Sequence, residues 1–297
     1  MDSAETLVAG LDNLPTLSEV PLRVLREIDG ADPSVEGVAE LIALDPSLAA
    51  NVVKLANSPL FPARRPASSV AQAVVRLGLQ EVRTVVTSIA VMDAFPAEIS
   101  AIDMRELWRH MIATAALARR FSRDMNEPDA NTTYLAGLFH GLGDVVLALC
   151  FPSRFELAVL AAEESGRPTP DALFDEFKAR PEQVCARMLE RWNIPETVVD
   201  AVEFHTCPDE APRGARAART VLAARLTARV FGIGLDYPGD DRRNFLGEIP
   251  DDILAASAGQ TPVRDYLALL ERDVERLHKA LEALLPRAPR GSTPLLS

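Results

Sequence analysis

Histidine is the residue type in this chain with the most chemistry to offer, and it is scarce. The 297 residues include only His110, His140, His205 and His278. An imidazole can bind a metal ion, move a proton, or lie buried with its hydrogen bonds satisfied. The first three lie on apolar faces of segments with helical periodicity. Their placement predicts an interior pocket rather than a surface site.

Two charged residues could complete such a pocket. Asp144 follows His140 by four residues, so a continuous helix would place both on one face. Arg225 lies in residues 221–229, a segment without any carboxylate, and its guanidinium carries a permanent positive charge. One hypothesis is a metal site built from the first three histidines and Asp144. The favoured interpretation is a pocket of buried, hydrogen-bonded histidines that holds no metal.

Composition narrows the class of protein. The net charge is −12, which disfavours nonspecific binding to nucleic acid because an acidic surface repels phosphate groups. Three widely spaced cysteines without a CxxC pair indicate a reducing compartment. The first ten residues contain no Lys or Arg, unlike a signal peptide, and no uncharged apolar run approaches the roughly 18 residues of a membrane span. We therefore expect a cytoplasmic protein without a membrane span.

Hydrophobic periodicity is almost entirely helical, which predicts an all-α fold with prolines between the helices. Helices are predicted to begin near Ser18 and Ser34, to resume at Leu48, and then to cover residues 68–77, 80–95, 104–121, 133–151, 152–165, 169–178, 182–192, 195–205, 216–231 and 262–285. A polar segment at residues 237–252, rich in Asp, Gly and Pro, is predicted to be a loop.

A break near residues 96–101 divides the chain into two helical subdomains. The predicted organisation is an N-terminal extension (1–11), an N-terminal helical subdomain (12–97), a second helical subdomain (101–232), a loop (233–252), a C-terminal helical extension (253–285) and a disordered tail (286–297). The last helix has apolar residues in steps of three and four. This seam predicts packing against its own domain, with a homodimer contact as the alternative.

Short motifs in a fixed order resemble the HDOD domain, a bacterial relative of the HD phosphohydrolases. The N-terminal part of the resemblance is carried by LPTLSEVPL from Leu14, LDPSLAA from Leu44, KLANS from Lys54 and AVVRLG from Ala73. LAGLFH from Leu135 and WNIP from Trp192, followed by the helix that ends at His205, resemble the HD-derived half. The resemblance spans about residues 12–232. It implies an all-α fold of two helical subdomains, the second a degenerate HD-type bundle.

The resemblance also implies that the ancestral metal site has been lost. His110, His140 and His205 correspond to positions that line the metal pocket of active HD enzymes. Gly141 stands where the Asp of the His-Asp doublet is expected, and Thr206 stands where a second His is expected. No histidine occurs near Pro181-Glu182, where relatives often carry one, and Arg225 occupies the place of the distal Asp ligand. We expect no catalytic residue, no metal and no other cofactor.

A small ligand could instead occupy the relic pocket. The residues expected to bind it are His110, His140, Asp144, His205 and Arg225, and Phe204 and Trp192 could help to line it. By resemblance, the expected function is that of a bacterial signalling regulator that acts by binding a partner protein.

Two alternatives stay open. One is a metal-dependent phosphohydrolase that acts on a nucleotide or a cyclic dinucleotide. The other is a DNA-binding regulator, because residues 68–87, with Gly78 at the turn, resemble a helix-turn-helix that presents Gln80 and Arg83.

Overall fold

The computed structural model describes residues 3–9, 15–58, 61, 65–128, 130–234 and 242–281. Every regular element in these ranges is a helix, which confirms the all-α prediction. The first six helices are α1 (Ser3–Ala9), α2 (Glu19–Ile28), α3 (Val35–Ala43), α4 (Pro46–Ala56), α5 (Val70–Leu77) and α6 (Leu79–Ala94). The next eight are α7 (Met104–Asp124), α8 (Ala130–Phe139), α9 (Leu142–Cys150), α10 (Pro152–Ser165), α11 (Thr169–Phe177), α12 (Pro181–Arg191), α13 (Glu196–Glu203) and α14 (Ala215–Val230). The last three are α15 (Arg242–Glu248), α16 (Asp251–Ala258) and α17 (Val263–Leu281).

Helices α2 to α6 enclose a hydrophobic cluster of their own. Side-chain caps start several of these helices: the Asp45 carboxylate accepts from the amides of Ser47 and Leu48, and the Ser34 hydroxyl accepts from the Gly37 amide. Apolar side chains on the inward faces are buried in the cluster, among them Val24, Val38, Ile42, Leu48, Val52, Val74, Val82 and Val86. The caps fix where each helix begins and so which face it buries.

A second, larger cluster surrounds α7. Trp108 and Phe121 of α7 are almost completely buried there, and so is Phe139 of α8. Val91 and Phe95, at the end of α6, belong to this cluster rather than to the first one. Helix α6 therefore links the two clusters.

The N-terminal helix also packs with the second half of the chain. Ala4 and Val8 of α1 are buried in the second cluster, and α1 lies against α12. The indole N–H of Trp192 donates to the Pro15 carbonyl at 3.0 Å. The chain therefore crosses from the second cluster to the first before returning through α6.

The helix predicted over residues 133–151 is two helices, which corrects the sequence interpretation. Helix α8 ends at Phe139 and α9 begins at Leu142, with a turn at His140 and Gly141. The Gly137 carbonyl, which an uninterrupted helix would offer to the Gly141 amide, accepts from Nδ1 of His140 at 2.7 Å. A histidine side chain that binds a terminal carbonyl favours a helix end, and hydrophobic periodicity does not show such an end.

One segment, residues 130–150, is apolar enough to be compared with a membrane span. An 18-residue window in it has a mean hydropathy of 1.5, and 83% of that window is buried inside the protein. By length and composition it could cross a membrane, but the core helices of folded domains meet the same criterion.

The loop predicted over residues 237–252 is wrong for its second half. Helix α15 covers Arg242–Glu248, and α16 begins at Asp251. The Asp, Gly and Pro residues that suggested a loop are concentrated in residues 236–241. Residues 235–241 lie outside the described ranges. The predicted tail at residues 286–297 and the predicted end of the last helix also lie outside them.

Helix α17 packs against its own chain. Tyr266, Leu270 and Val274 of the apolar seam are buried in the second cluster. The Tyr266 hydroxyl donates to Asp124 of α7 at 2.7 Å. Pairing of two chains through this helix stays a prediction, and its remaining exposed apolar residues are Val263 and Leu269.

Candidate functional site

The five residues predicted to bind a ligand line one cavity of about 60 Å³. They come from separate elements: His110 from α7, His140 from the turn after α8, Asp144 from α9, His205 from the segment after α13, and Arg225 from α14. The other side chains and backbone atoms that line the cavity belong to Leu107, Gly141, Thr169, Pro170, Leu173, Pro181, Glu182 and Arg229. The structure therefore brings together residues up to 115 positions apart in sequence.

Each of the three imidazoles is held by a backbone carbonyl. Nδ1 of His110 lies 2.9 Å from the Ile233 oxygen, and Nδ1 of His140 lies 2.7 Å from the Gly137 oxygen. Nδ1 of His205 lies 2.7 Å from the Val202 oxygen. Because a carbonyl can only accept, each Nδ1 carries a proton and donates it. In the neutral imidazole this leaves Nε2 with a lone pair.

The Nε2 atoms of His110 and His140 face each other at 3.2 Å. These two neutral rings have two protons, and both are already donated to carbonyls. The close Nε2 contact is therefore between two acceptors. A third group that donates a hydrogen bond would satisfy both of them.

Burial keeps the imidazoles neutral. It is the main cause that lowers the pKa of His110 and of His140 well below the usual value for histidine. The pKa of His205 falls to about 3, through burial and then through the nearby charge of Arg225. All three rings are at least nine-tenths buried. The cavity therefore contains three neutral imidazoles beside a fixed cation.

The pKa of Asp144 shifts in the opposite direction, upward. Burial, with a further contribution from the nearby Glu182 carboxylate, raises the pKa of Asp144 to about 7, and the Arg225 charge opposes this rise. Its neutral form is therefore populated near neutral pH, and Asp144 contributes less negative charge to the cavity than an ordinary aspartate would.

Three polar or charged residues of this cavity were not predicted from the sequence: Thr169, Glu182 and Arg229. Oγ1 of Thr169 and Oε2 of Glu182 are buried atoms without a hydrogen-bond partner among the described residues. Buried polar atoms in native proteins nearly always have a partner, so two orphans in one cavity indicate a missing ligand or solvent. Relatives often carry a histidine near Glu182, and the resemblance gave no role to the Glu182 carboxylate itself.

These side chains do not fit the metal centre that the HD resemblance implies. The Nδ1 anchoring matches the arrangement of metal-bound histidines. However, no group of three or more His, Cys, Asp or Glu in the described ranges is arranged to hold a metal ion. The pKa of Asp144 is raised to about 7, which weakens it as a metal ligand, and Arg225 adds a positive charge beside the imidazoles. A permanent cation and a weakened carboxylate ligand both disfavour a metal ion in this cavity, although the Glu182 carboxylate also lines it.

Three further sequence interpretations need correction. Asp144 reaches the cavity, but not through a continuous helix face, because the chain turns between α8 and α9. Trp192 and Phe204 do not line the cavity. The Trp192 ring contacts Phe95 instead, at a centroid distance of 6.4 Å. Aromatic residues near a motif in sequence were thus a poor guide to the pocket wall.

The residues proposed to contact DNA are engaged within the chain. Arg83 of α6 forms an ion pair with Asp29 at 2.9 Å, and the Gln80 side chain accepts from Asn131 at 3.0 Å. Gly78, with a φ of 76°, makes the turn between α5 and α6. The turn geometry is present, but both side chains already have partners.

Comparisons with known proteins agree with this architecture. The chain is similar over 96% of its length to an HDOD domain protein of unknown function from Geobacter sulfurreducens, with 25% identity, a TM-score of 0.75 and 95% of that structure covered. It is similar to a candidate signal transduction protein from Marinobacter aquaeolei VT8, with 25% identity, a TM-score of 0.72, and 96% and 64% of the two chains covered. Similarity to a candidate phosphohydrolase from Shewanella amazonensis SB2B, at 21% identity and a TM-score of 0.71 over 94% and 95% of the chains, concerns the fold alone.

Sequence comparison gives the same family. A protein of Treponema pallidum (strain Nichols) is 25% identical over 230 residues, which are 76% of this chain but 44% of that protein. The chain thus spans less than half of the length of this curated relative. The family profile of the HDOD domain matches residues 14–208, about two thirds of the chain. Together with the two helical clusters described above, this match shows that the chain belongs to the HDOD domain family.

Proposed function

We propose that this protein is a cytoplasmic signalling module that binds a small ligand in the histidine cavity and does not hydrolyse phosphoesters. The observation that carries the proposal is Arg225, whose guanidinium lines the same cavity as three neutral imidazoles. A fixed cation there disfavours a metal ion and favours an anion. The similarity to a candidate signal transduction protein supports a regulatory role.

The hydrogen-bonding groups of the cavity narrow the ligand class. The Nε2 atoms of His110 and His140 need a donor, and so does the Glu182 carboxylate. Arg225, which lines the same cavity, can only donate and favours an acceptor. A small oxyanion that keeps a proton, such as hydrogen phosphate, offers both donor and acceptor groups. It would place an oxygen on Arg225 and its hydroxyl group on the imidazoles.

Size argues against a nucleotide substrate. The cavity measures about 60 Å³. Pockets for small organic molecules are usually about 300–1,000 Å³, whereas one water molecule takes about 30 Å³ in the liquid. A cyclic dinucleotide would therefore have to open the helices around the cavity. The phosphohydrolase alternative needs both this opening and a metal.

We expect no bound metal at stoichiometric level and no phosphodiester turnover. Freshly purified protein would be analysed for metals by plasma mass spectrometry. It would then be incubated with Mn²⁺, Fe²⁺ or Zn²⁺ and one of two substrates. Hydrolysis of bis(p-nitrophenyl) phosphate is followed by the absorbance of released p-nitrophenolate, and hydrolysis of a cyclic dinucleotide by chromatography of the products. Product formation should be the same for the wild-type protein and for His140→Ala. Near-stoichiometric metal together with turnover, both lost in His140→Ala, would establish the phosphohydrolase and reject our proposal.

Ligand binding is tested separately with inorganic phosphate as the probe. Isothermal titration at pH 7 should detect one site in the wild-type protein. Arg225→Gln should weaken phosphate binding at least about tenfold, since a charge-assisted hydrogen bond contributes about 1.5–3 kcal/mol. Arg191→Gln is the matched control, because Arg191 is exposed at the end of α12. No heat of binding, or equal affinity in Arg225→Gln, would reject an anion at this site.

The proposed output is the docking of a partner protein. Leu157 and Leu160, one turn apart on α10, are 65% and 53% exposed. Exposed apolar residues that cluster on one face are typical of interaction surfaces. A partner retained by the wild-type protein should be lost with Leu157→Asp. Leu246→Asp is the control, since Leu246 is 49% exposed but lies on α15. A partner that both variants retain would place the docking surface elsewhere.

A further inference from the structure

A second cavity, of about 340 Å³, lies apart from the histidine cavity. Residues spaced by three or four positions line it along α6 (residues 81–93), α7 (112–123) and α17 (270–277), and α4 and Tyr134 of α8 contribute further wall. The eleven residue steps from Ile112 to Arg123 on α7 extend over roughly 16 Å. The cavity is therefore an elongated space between the N-terminal bundle, the central helix of the second cluster and the C-terminal helix.

Its walls are mostly apolar. Leu55 of α4, Ile89 of α6, Ile112 and Leu117 of α7 and Leu270 of α17 all line it. Its volume lies within the range of pockets that bind small organic molecules. Such a space, lined by apolar side chains and a few polar groups, fits an organic ligand better than a cluster of water molecules.

Arginine side chains of α7 supply the polar end. Arg119 forms two bonds of 3.0 Å to the Glu81 carboxylate, so its charge is balanced within the cavity wall. Arg120 is likewise paired with Asp124 and Asp273. Arg123, one turn after Arg119, has no hydrogen bond or ion pair with any described residue. Among the described residues, the carboxylate that acts on its charge is Glu81, which Arg119 already binds, so Arg123 is free to bind a further anionic group.

Among the carboxylates that line the cavity, Asp93 has no ion pair with a described residue, and it lies at the other end. Asp93 is on the last turn of α6, twelve residues from Glu81, which is roughly 18 Å along a helix axis. Burial and then the neighbouring Asp45 raise the pKa of Asp93, and the length of α6 separates its carboxyl from an anion bound at Arg123. The cavity thus has one cationic end and a long apolar body.

We propose that this cavity binds a small amphipathic anion, with its acidic group at Arg123 and its apolar chain or ring system along α6, α7 and α17. This site is independent of the histidine cavity and goes beyond the function proposed above. Because the N-terminal bundle, α7 and α17 all contribute to its wall, a bound ligand would hold these parts of the protein together.

The test uses the full chain, decanoate and the uncharged decanol. Each compound displaces the fluorescent anion 8-anilinonaphthalene-1-sulfonate, which should bind one saturable site. Decanoate should displace this dye at an about fivefold lower concentration than decanol, because one partly exposed charge-assisted hydrogen bond contributes about 1 kcal/mol. The Arg123→Gln variant should lose this preference, whereas the charge-matched Arg191→Gln should keep it.

A cavity-filling variant tests the place of binding. Ala116 of α7 lines the cavity and is only partly buried, so Ala116→Phe can point its ring into the space. Dye binding should fall at least tenfold while the far-ultraviolet circular dichroism is unchanged. Equal displacement by decanoate and decanol in the wild-type protein would overturn the proposal. Unchanged dye binding by a folded Ala116→Phe would also overturn it.

Discussion

Replacement of Gly143 by alanine is expected to lower the free energy of unfolding by about 3 kcal/mol. A Cβ atom at Gly143 would lie 1.9 Å from the Pro181 oxygen and 2.5 Å from the Pro181 carbon. Both are backbone atoms, so no side chain can rotate away. Helices α9 and α12 would have to separate, and the separation would disturb the packing of the fully buried Cys185 and Leu189 on α12.

Urea unfolding at pH 7.5, followed by circular dichroism, would measure this loss. Gly247→Ala is the control, since Gly247 lies in α15 and a Cβ atom there would have no other atom within 4 Å. Alanine is the better helix former by about 1 kcal/mol, so the control variant should be as stable as the wild-type protein or slightly more stable. Equal unfolding midpoints for Gly143→Ala and wild type would show that α9 and α12 are not in this close contact.

The glycines show what sequence patterns can and cannot supply. Gly137 and Gly141 share one face of a predicted helix, and this predicts the close approach of a neighbouring helix. The structure confirms the close approach of α7, because a Cβ at Gly137 would lie 2.8 Å from the Ala115 Cα and one at Gly141 would lie 3.2 Å from the Met111 sulfur. The shared helix face is wrong, because Gly141 lies in the turn after α8. The contact of Gly143 with Pro181 joins segments 38 residues apart and leaves no periodic trace in either.

The candidate site shows the same limit. Apolar periodicity around His110 and His205 was enough to predict that they are buried. The end of α8 was missed because His140 itself binds the Gly137 carbonyl, within a segment whose apolar pattern continues unbroken. Thr169 was missed because a hydroxyl at a helix start has no chemical signature until tertiary packing buries it without a partner.

We expect the stability of the protein to fall steeply as the pH drops below about 6. In the unfolded chain His110, His140 and His205 take up protons near pH 6.5. In the folded protein burial and the Arg225 charge lower their pKa values, that of His205 to about 3. Between these limits the unfolded state binds more protons, so acid favours unfolding. Each such group costs about 1.4 kcal/mol per pH unit.

Asp144 acts against this loss. Its folded pKa of about 7 lies above the unfolded value of 3.8, so the folded protein binds the extra proton between these two pH values. Acid therefore stabilises the fold through Asp144 while it destabilises the fold through the three histidines. Because three histidines oppose one aspartate, acid below pH 6 has a net destabilising effect. His205 alone contributes about 1.4 kcal/mol per pH unit between its unfolded pKa near 6.5 and its folded pKa of about 3.

Two variants should change this slope in opposite directions, which separates the cavity from every other titrating group in the protein. Urea unfolding at pH 7.5, 6.5, 5.5 and 4.5 would give the slope for each. His205→Gln should make the loss shallower by about 1.4 kcal/mol per pH unit, because one group that resists protonation is removed. Asp144→Asn should make the loss steeper by a similar amount, since the stabilising proton is lost.

Parallel curves for wild type and both variants would mean that the buried imidazoles and Asp144 titrate alike in the folded and unfolded chains. A neutral histidine cavity would then be wrong, and with it the basis for placing a protonated oxyanion there.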